Sequence, residues 1–139
     1  MKLFIDTSIF VDVLRKKTVS SSKQLFDSSL EGNDGFISSI TVAELSVGAH
    51  LSTKPDAIEK TLELLSIVSV MNLDDKIAFY GGKVYSDLVR SGLVIELNDC
   101  LIAATCLSIG ISEIVTRNVG HFDRIGEIRA VTPEDLGFE

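Results

Sequence analysis

The stretch Leu3-Phe4-Ile5-Asp6-Thr7-Ser8-Ile9-Phe10-Val11 decides the fold. Three apolar residues in succession, preceded by Lys2, predict a short strand over residues 2–5 that is buried on both faces. Asp6, Thr7 and Ser8 are good helix-capping residues, so a helix is expected to open here and run to about Leu14. A buried strand that passes straight into a helix is the first half of a βαβ unit. In open α/β sheets, ligands gather beyond the carboxyl ends of the strands, which gives Asp6 a special position.

The same alternation continues along the chain. A second helix is predicted over residues 22–30, stopped by Glu31-Gly32-Asn33, and a strand over 35–38. Residues 40–51 read as a helix with Thr41 as its candidate cap, and Pro55 opens another helix over 56–65. Residues 67–71 form a strand. A long amphipathic helix covers 74–91 and is closed by Gly92; an apolar helix covers 99–108 and is closed by Gly110. Short strands at 114–116 and 129–131 flank a helical turn near 119–123. Strands alternating with helices imply an α/β fold, with a central and mostly parallel sheet covered on both faces. The whole of residues 1–139 is expected to form one domain.

Composition narrows the function. The apolar fraction is 45%, and no apolar run reaches the roughly 18 residues that span a bilayer. Charge interrupts the N-terminus at Lys2 and Asp6, so no signal peptide and no membrane association are expected, and a cytoplasmic location is. Cys100 and Cys106 lie six apart in a predicted helix, on opposite faces at about 100° per residue. They read as small core residues. The formal net charge of −7 argues against broad phosphate neutralisation but is compatible with an acidic metal site. The basic residues are clustered: Arg15-Lys16-Lys17 form one knot, and Arg117, Arg124 and Arg129 lie near the C-terminus. Solvated surface and contact with substrate phosphates are both open to them, and Arg117 is the candidate for substrate binding.

Three acids stand in positions that simple solvation does not explain. Asp6 ends the first strand, although a helix N-cap would also account for it. Glu44 has Ile40, Thr41, Val47 and Gly48 as its helical neighbours, beside an apolar stripe where an acid is costly without a partner. A capping box with Thr41 is its structural alternative. Asp99 opens a nearly all-apolar helix, where it or Asn98 would serve as cap. Taken together the acids suit phosphodiester hydrolysis. A divalent cation neutralises the phosphate oxygens and lowers the pKa of water, and Mg²⁺ and Mn²⁺ prefer oxygen ligands. With only His50 and His121 present, no zinc-type His/Cys set is available.

Four segments carry a resemblance to a known family: residues 3–11 quoted above, Thr41-Val42-Ala43-Glu44-Leu45, Asp99-Cys100-Leu101-Ile102-Ala103-Ala104, and Thr116-Arg117-Asn118-Val119-Gly120-His121-Phe122. In this order they resemble the PIN domain, and most closely the VapC-type toxins of toxin–antitoxin modules. The resemblance covers essentially the whole chain. It implies a three-layer α/β/α sandwich and cleavage of RNA that depends on Mg²⁺ or Mn²⁺. Asp6, Glu44 and Asp99 match the family's three principal acids, as catalytic residues and metal ligands. The family often has a further acid near its fourth motif. Here Asn118 occupies that neighbourhood, able to ligate through its carbonyl without adding charge, and Asp123 lies beyond Phe122 as a second candidate. Thr7, Ser8 and Thr116 would support the site, Thr7 and Ser8 by orienting Asp6 or a water. Glu96, three residues before Asp99, could assist, although a loop acid facing solvent is the favoured reading.

The resemblance further implies a homodimer and a cognate antitoxin that blocks the acid pocket, most simply by presenting an Arg to the carboxylates. Independent support for an interface comes from apolar residues on two helices, Ile58, Leu62 and Leu65 on one and Ile77, Ala78, Val84, Tyr85 and Leu88 on the other. Alternative functions are an RNA-processing nuclease outside a toxin–antitoxin pair and a non-catalytic binding module on the same fold. A haloacid-dehalogenase-like phosphotransferase would want Asp where Ser8 stands. A response-receiver domain would want a phosphoacceptor after the middle strand, where Asn72-Leu73-Asp74-Asp75 fits poorly.

Overall fold

The structure, a computed structural model, describes residues 1–139. Strand β1 (Lys2–Ile5) lies at the centre of a five-stranded sheet with β2 (Asp34–Ser38), β3 (Ser69–Met71), β4 (Glu113–Val115) and β5 (Arg129–Val131). The strand order is β3-β2-β1-β4-β5, and all four pairings are parallel. The helices are α1 (Thr7–Leu14), α2 (Ser20–Asp27), α3 (Ser39–Leu51), α4 (Ala57–Leu65), α5 (Asp75–Ser91), α6 (Leu97–Ser108) and the single turn α7 (Val119–Phe122). None is long and apolar enough to cross a membrane.

Strand alternation divides the core. Successive side chains of β1 point to opposite faces. Leu3 and Ile5 therefore join Ile9, Phe10, Phe26 and Leu45 in one cluster, under α1 to α4. Phe4 joins Leu88, Cys100, Ile102, Cys106 and Phe122 in the other, under α5 to α7. The expected three-layer α/β/α sandwich follows. Both cysteines are fully buried and unpaired, as expected of core residues. Burial pushes the Cys106 thiol up to about 12; burial first, then the Asp99 charge, pushes Cys100 up to about 11.

The strand order creates a switch point. From β1 the chain moves outward through β2 and β3, then crosses back to place β4 on the other side of β1. The carboxyl ends of β1 and β4 are neighbours, with Ile5 registered against Val115. The next residues, Asp6 and Thr116, consequently meet although they are 110 positions apart.

Several local expectations need correction. The second helix is Ser20–Asp27 and continues as a 3-10 turn over Ser28–Glu31, where a single helix over 22–30 was expected. Thr41 does not cap α3. Ser38 does, accepting from the Ile40 amide at 3.1 Å, while Thr41 is fully buried. Helix α6 begins at Leu97, so Asp99 lies inside its first turn and is not the cap. Of the apolar residues offered for an interface, Val84 and Leu88 are core; Ile58 and Leu62 are exposed, as is Phe79.

Candidate functional site

A cavity of about 440 Å³ opens at the switch point, and Asp6, Glu44, Glu96 and Asp99 all line it. Val11 is its single apolar lining residue. Each acid arrives by a different route. Asp6 is the N-cap of α1 and is only 2% exposed. Its Oδ2 accepts hydrogen bonds from Ser8 Oγ at 2.7 Å and Thr116 Oγ1 at 2.8 Å, with the Ser8 amide at 3.4 Å. Oδ1 takes no bond from the protein. No fully buried side-chain oxygen or nitrogen in the molecule lacks a partner, so Oδ1 is the oxygen that opens toward the cavity. The structure thus gives Asp6 both roles raised by its sequence position, cap and cavity acid.

Glu44 projects from α3. Its Oε1 accepts from Thr7 Oγ1 at 2.8 Å, and Thr7 Oγ1 lies 3.0 Å from Thr41 Oγ1. The capping-box alternative fails because α3 starts three residues earlier than that box requires. Glu44 is instead tied across the layer to α1.

Asp99 accepts no protein hydrogen bond through its side chain, which is 14% exposed. His121 Nδ1 is 3.9 Å from its Oδ2. The amino end of α6 favours an anion there, but two larger effects oppose it. Burial raises the Asp99 pKa, and the Asp6, Glu44 and Glu96 charges raise it further, to about 7. The carboxyl holds its proton close to neutrality because it is largely buried and its surroundings are already negative.

Ser8 and Thr116 donate to Asp6, whereas Thr7, expected to orient Asp6 or a water, donates to Glu44. Thr116 also accepts from the Asn118 amide at 2.9 Å, which fixes Asn118 at the cavity wall. Asp123 does not reach the cavity: its Oδ1 accepts from the Ala130 amide at 3.0 Å and ties α7 to β5. Arg117, the residue expected to contact substrate, lines the cavity and is also tied to neighbouring elements. Its Nε donates to Asp12 at 2.7 Å, its other nitrogens to Glu134, Ser21 and Ser22. The guanidinium forms a clamp among α1, α2 and the C-terminal segment, and its charge at the cavity wall is shared with Asp12 and Glu134. Its backbone amide donates to Ser8 Oγ at 2.9 Å, so the clamp holds the strand end that orients the Asp6 partner.

Asp12 and His121 were missed in the sequence, and Glu96 was only weighed as an assisting acid. Asp12 is 7% exposed, four residues after Ser8 on the buried side of α1; that spacing was a legible signal. Glu96 is exposed, as a solvent-facing acid would be, and the turn before α6 also brings it to the cavity rim, beside Asp99. His121 lies three residues after Asn118, on the same turn.

The donor set fits a hard divalent cation. The lining supplies carboxylate and amide oxygens with no thiolate, and its arginine, Arg117, is already paired with Asp12 and Glu134. No three Asp, Glu, His or Cys side chains stand close enough together to hold a metal ion by themselves. That openness suits Mg²⁺ or Mn²⁺ chemistry, in which one or two carboxylates bind and water keeps the remaining positions.

Comparison with known proteins agrees with this geometry. The PIN domain family model matches residues 3–128. Ribonuclease VapC2 of Rickettsia felis is 32% identical over 126 residues, covering 90% of this chain and 92% of the relative. Ribonuclease VapC2 of Haemophilus influenzae is 31% identical over 130 residues, covering 93% and 96%. Among solved structures, VapBC2 from Rickettsia felis bound to a promoter DNA fragment has a TM-score of 0.81 at 29% identity, covering 95% of this chain and 98% of that one. A toxin–antitoxin complex from Klebsiella pneumoniae has a TM-score of 0.66 at 28% identity, covering 94% and 97%. With the acids gathered at the switch point of a parallel sheet, and a family match running from β1 to the residue before β5, the chain belongs to the PIN domain family.

Proposed function

We propose that this protein is a divalent-metal-dependent endoribonuclease, the toxin of a type II toxin–antitoxin pair acting on cytoplasmic RNA. The observation that carries the reading is the cavity walled by Asp6, Glu44, Glu96 and Asp99. The kinship with ribonucleases of the VapC type supports the RNA substrate, and the likeness to toxin–antitoxin complexes supports the protein partner. Asp6, Glu44 and Asp99 are assigned as catalytic residues that hold Mg²⁺ or Mn²⁺, with Asn118 able to add a neutral oxygen.

A divalent cation held there neutralises the phosphate oxygens, acidifies attacking water and stabilises the leaving oxygen. The protein's own groups do the positioning. Ser8 and Thr116 occupy Asp6 Oδ2 and leave Oδ1 aimed into the cavity. Thr7 fixes Glu44 in the same way. Asp99, its carboxyl pushed up to about 7 by burial and by Asp6, Glu44 and Glu96, would release its proton more readily beside a bound cation. The charged wall that attracts the cation also repels bare phosphate, so RNA binding and cation binding are coupled.

Cleavage of single-stranded RNA in Mg²⁺ or Mn²⁺ by the purified chain tests this reading. Asp6→Asn and Asp99→Asn should each remove activity. Equal cleavage in EDTA would eliminate the metal role, and full activity in both variants would eliminate the site. Coexpression with the product of the adjacent small gene tests the partner: a copurifying protein that leaves cleavage at full rate contradicts inhibition. The exposed Ile58, Leu62 and Phe79 support the proposed homodimer. Light scattering that shows a strict monomer at micromolar concentration would exclude it.

A further inference from the structure

The Arg15-Lys16-Lys17 knot is not absorbed by the acid cavity. The chain carries 13 Lys and Arg against 20 Asp and Glu. Lys23, Lys60, Lys83, Arg90, Arg117 and Arg129 are in ion pairs. Of the cations left unpaired, Arg15, Lys16 and Lys54 line one groove of about 280 Å³. It lies between the turn after α1 and the start of α4. Lys60 also lines it and is paired with the groove's single acid, Asp56, at 3.2 Å. This is a positively charged channel on a protein whose net charge is −7.

The channel connects to the acids. A second hollow, of about 230 Å³, has Arg15 and Lys54 at one end and Thr7 and Glu44 at the other. Thr7 and Glu44 are walls of the acid cavity. One continuous surface therefore runs from the carboxylates past Val11 and Leu14 to the unpaired cations. Its charge changes sign along the way. A cation-loaded acid centre followed by a basic track is the charge pattern that a polyanionic strand requires when one phosphate is cleaved and its neighbours are held.

We propose that this groove binds the phosphates of the RNA strand flanking the cleavage point, with Arg15, Lys16 and Lys54 as the phosphate-contacting residues. The proposal rests on the ribonuclease reading and extends it by giving the substrate a direction across the surface. Backbone-phosphate contacts add affinity without sequence preference. All three side chains are exposed and form no internal ion pair, so removing them leaves the fold intact.

The test uses the full chain carrying Asp99→Asn, so that RNA is not consumed, and a labelled, randomised single-stranded RNA as probe. Fluorescence anisotropy is measured over a salt series in the parent, in an added Arg15→Ala/Lys16→Ala/Lys54→Ala triple variant, and in an added Lys76→Ala control on α5. Each phosphate contact to a single strand contributes about 0.7 to the slope of log affinity against log salt, so the triple variant should lose about 2 from that slope and about tenfold or more in affinity at low salt. Lys76→Ala should match the parent. A triple variant with the parental slope overturns the proposal, and so does an equal effect from Lys76→Ala. A triple variant that binds RNA like the parent but no longer captures the coexpressed antitoxin also overturns it, and makes the groove a protein-docking surface. Failure of the wild-type chain to cleave RNA with any divalent cation would instead reject the ribonuclease reading, which separates the two.

Discussion

Replacing Asp99 by Asn should stabilise the cation-free protein, and only at the alkaline side of a defined pH window. The carboxyl of Asp99 rises from its ordinary 3.8 to about 7 in the folded chain, chiefly through burial and then through Asp6, Glu44 and Glu96. Between those values the folded state holds a proton that the unfolded state has released. Stability therefore falls as pH rises through the window, and the full cost is felt above about pH 7. At about 1.4 kcal/mol per pH unit the ceiling is about 4 kcal/mol. Water in the open cavity screens part of this, so about 2 kcal/mol is the expected gain for Asp99→Asn at pH 8. For a chain of this size that corresponds to about 7 °C in Tm. Urea and thermal melts of both proteins in EDTA, at pH 4 and pH 8, measure it. The gain should vanish at pH 4, where Asp99 is protonated in the wild type. Millimolar Mn²⁺ should then stabilise the wild type more than the variant, because bound cation relieves the repulsion that the variant has already lost. A variant no more stable than wild type at pH 8, or equally stabilised at both pH values, would refute the picture of a largely buried Asp99 repelled by its neighbouring acids.

Other substitutions probe the supports. Thr116→Val removes the hydroxyl that donates to Asp6 and accepts from the Asn118 amide; it should cost about 2 kcal/mol in urea melts and lower kcat more than KM. Arg117→Gln leaves Asp12 buried without its cation and should destabilise by about 3 kcal/mol in urea melts. In the same variant the acid limb should flatten. Arg117 holds the Glu134 carboxyl down at about 2, a contribution present above the ordinary 4.5 and lost as pH falls toward 2, though small because Glu134 is half exposed. Cys100 and Cys106 should resist iodoacetamide at pH 8 until the chain is unfolded, as mass spectrometry would show; labelling of the native protein would contradict their burial and raised pKa values.

What the sequence determined by itself is local. The apolar run Leu3-Phe4-Ile5 and the helix-capping residues after it predict β1 and α1 because both signals are read within a few residues. The repeated alternation predicts a parallel sheet with helices on both faces for the same reason. The acids at 6, 44 and 99 stood out because each sits where local patterning does not want an unpartnered charge. Element ends were less legible: Ser38 caps α3 in place of Thr41, and Glu96 precedes α6 in place of Asp99, since several polar residues in a row can each begin a helix and tertiary packing chooses among them. The tertiary structure alone decided what meets what. The β3-β2-β1-β4-β5 order sets Thr116 against Asp6, engages Arg117 in a clamp with Asp12 and Glu134, and brings Glu96 and His121 to the cavity. It also sets the proton affinity of Asp99. Burial and Coulomb repulsion depend on distances through space between residues as far apart as Asp6 and Asp99, and no window along the chain contains those distances.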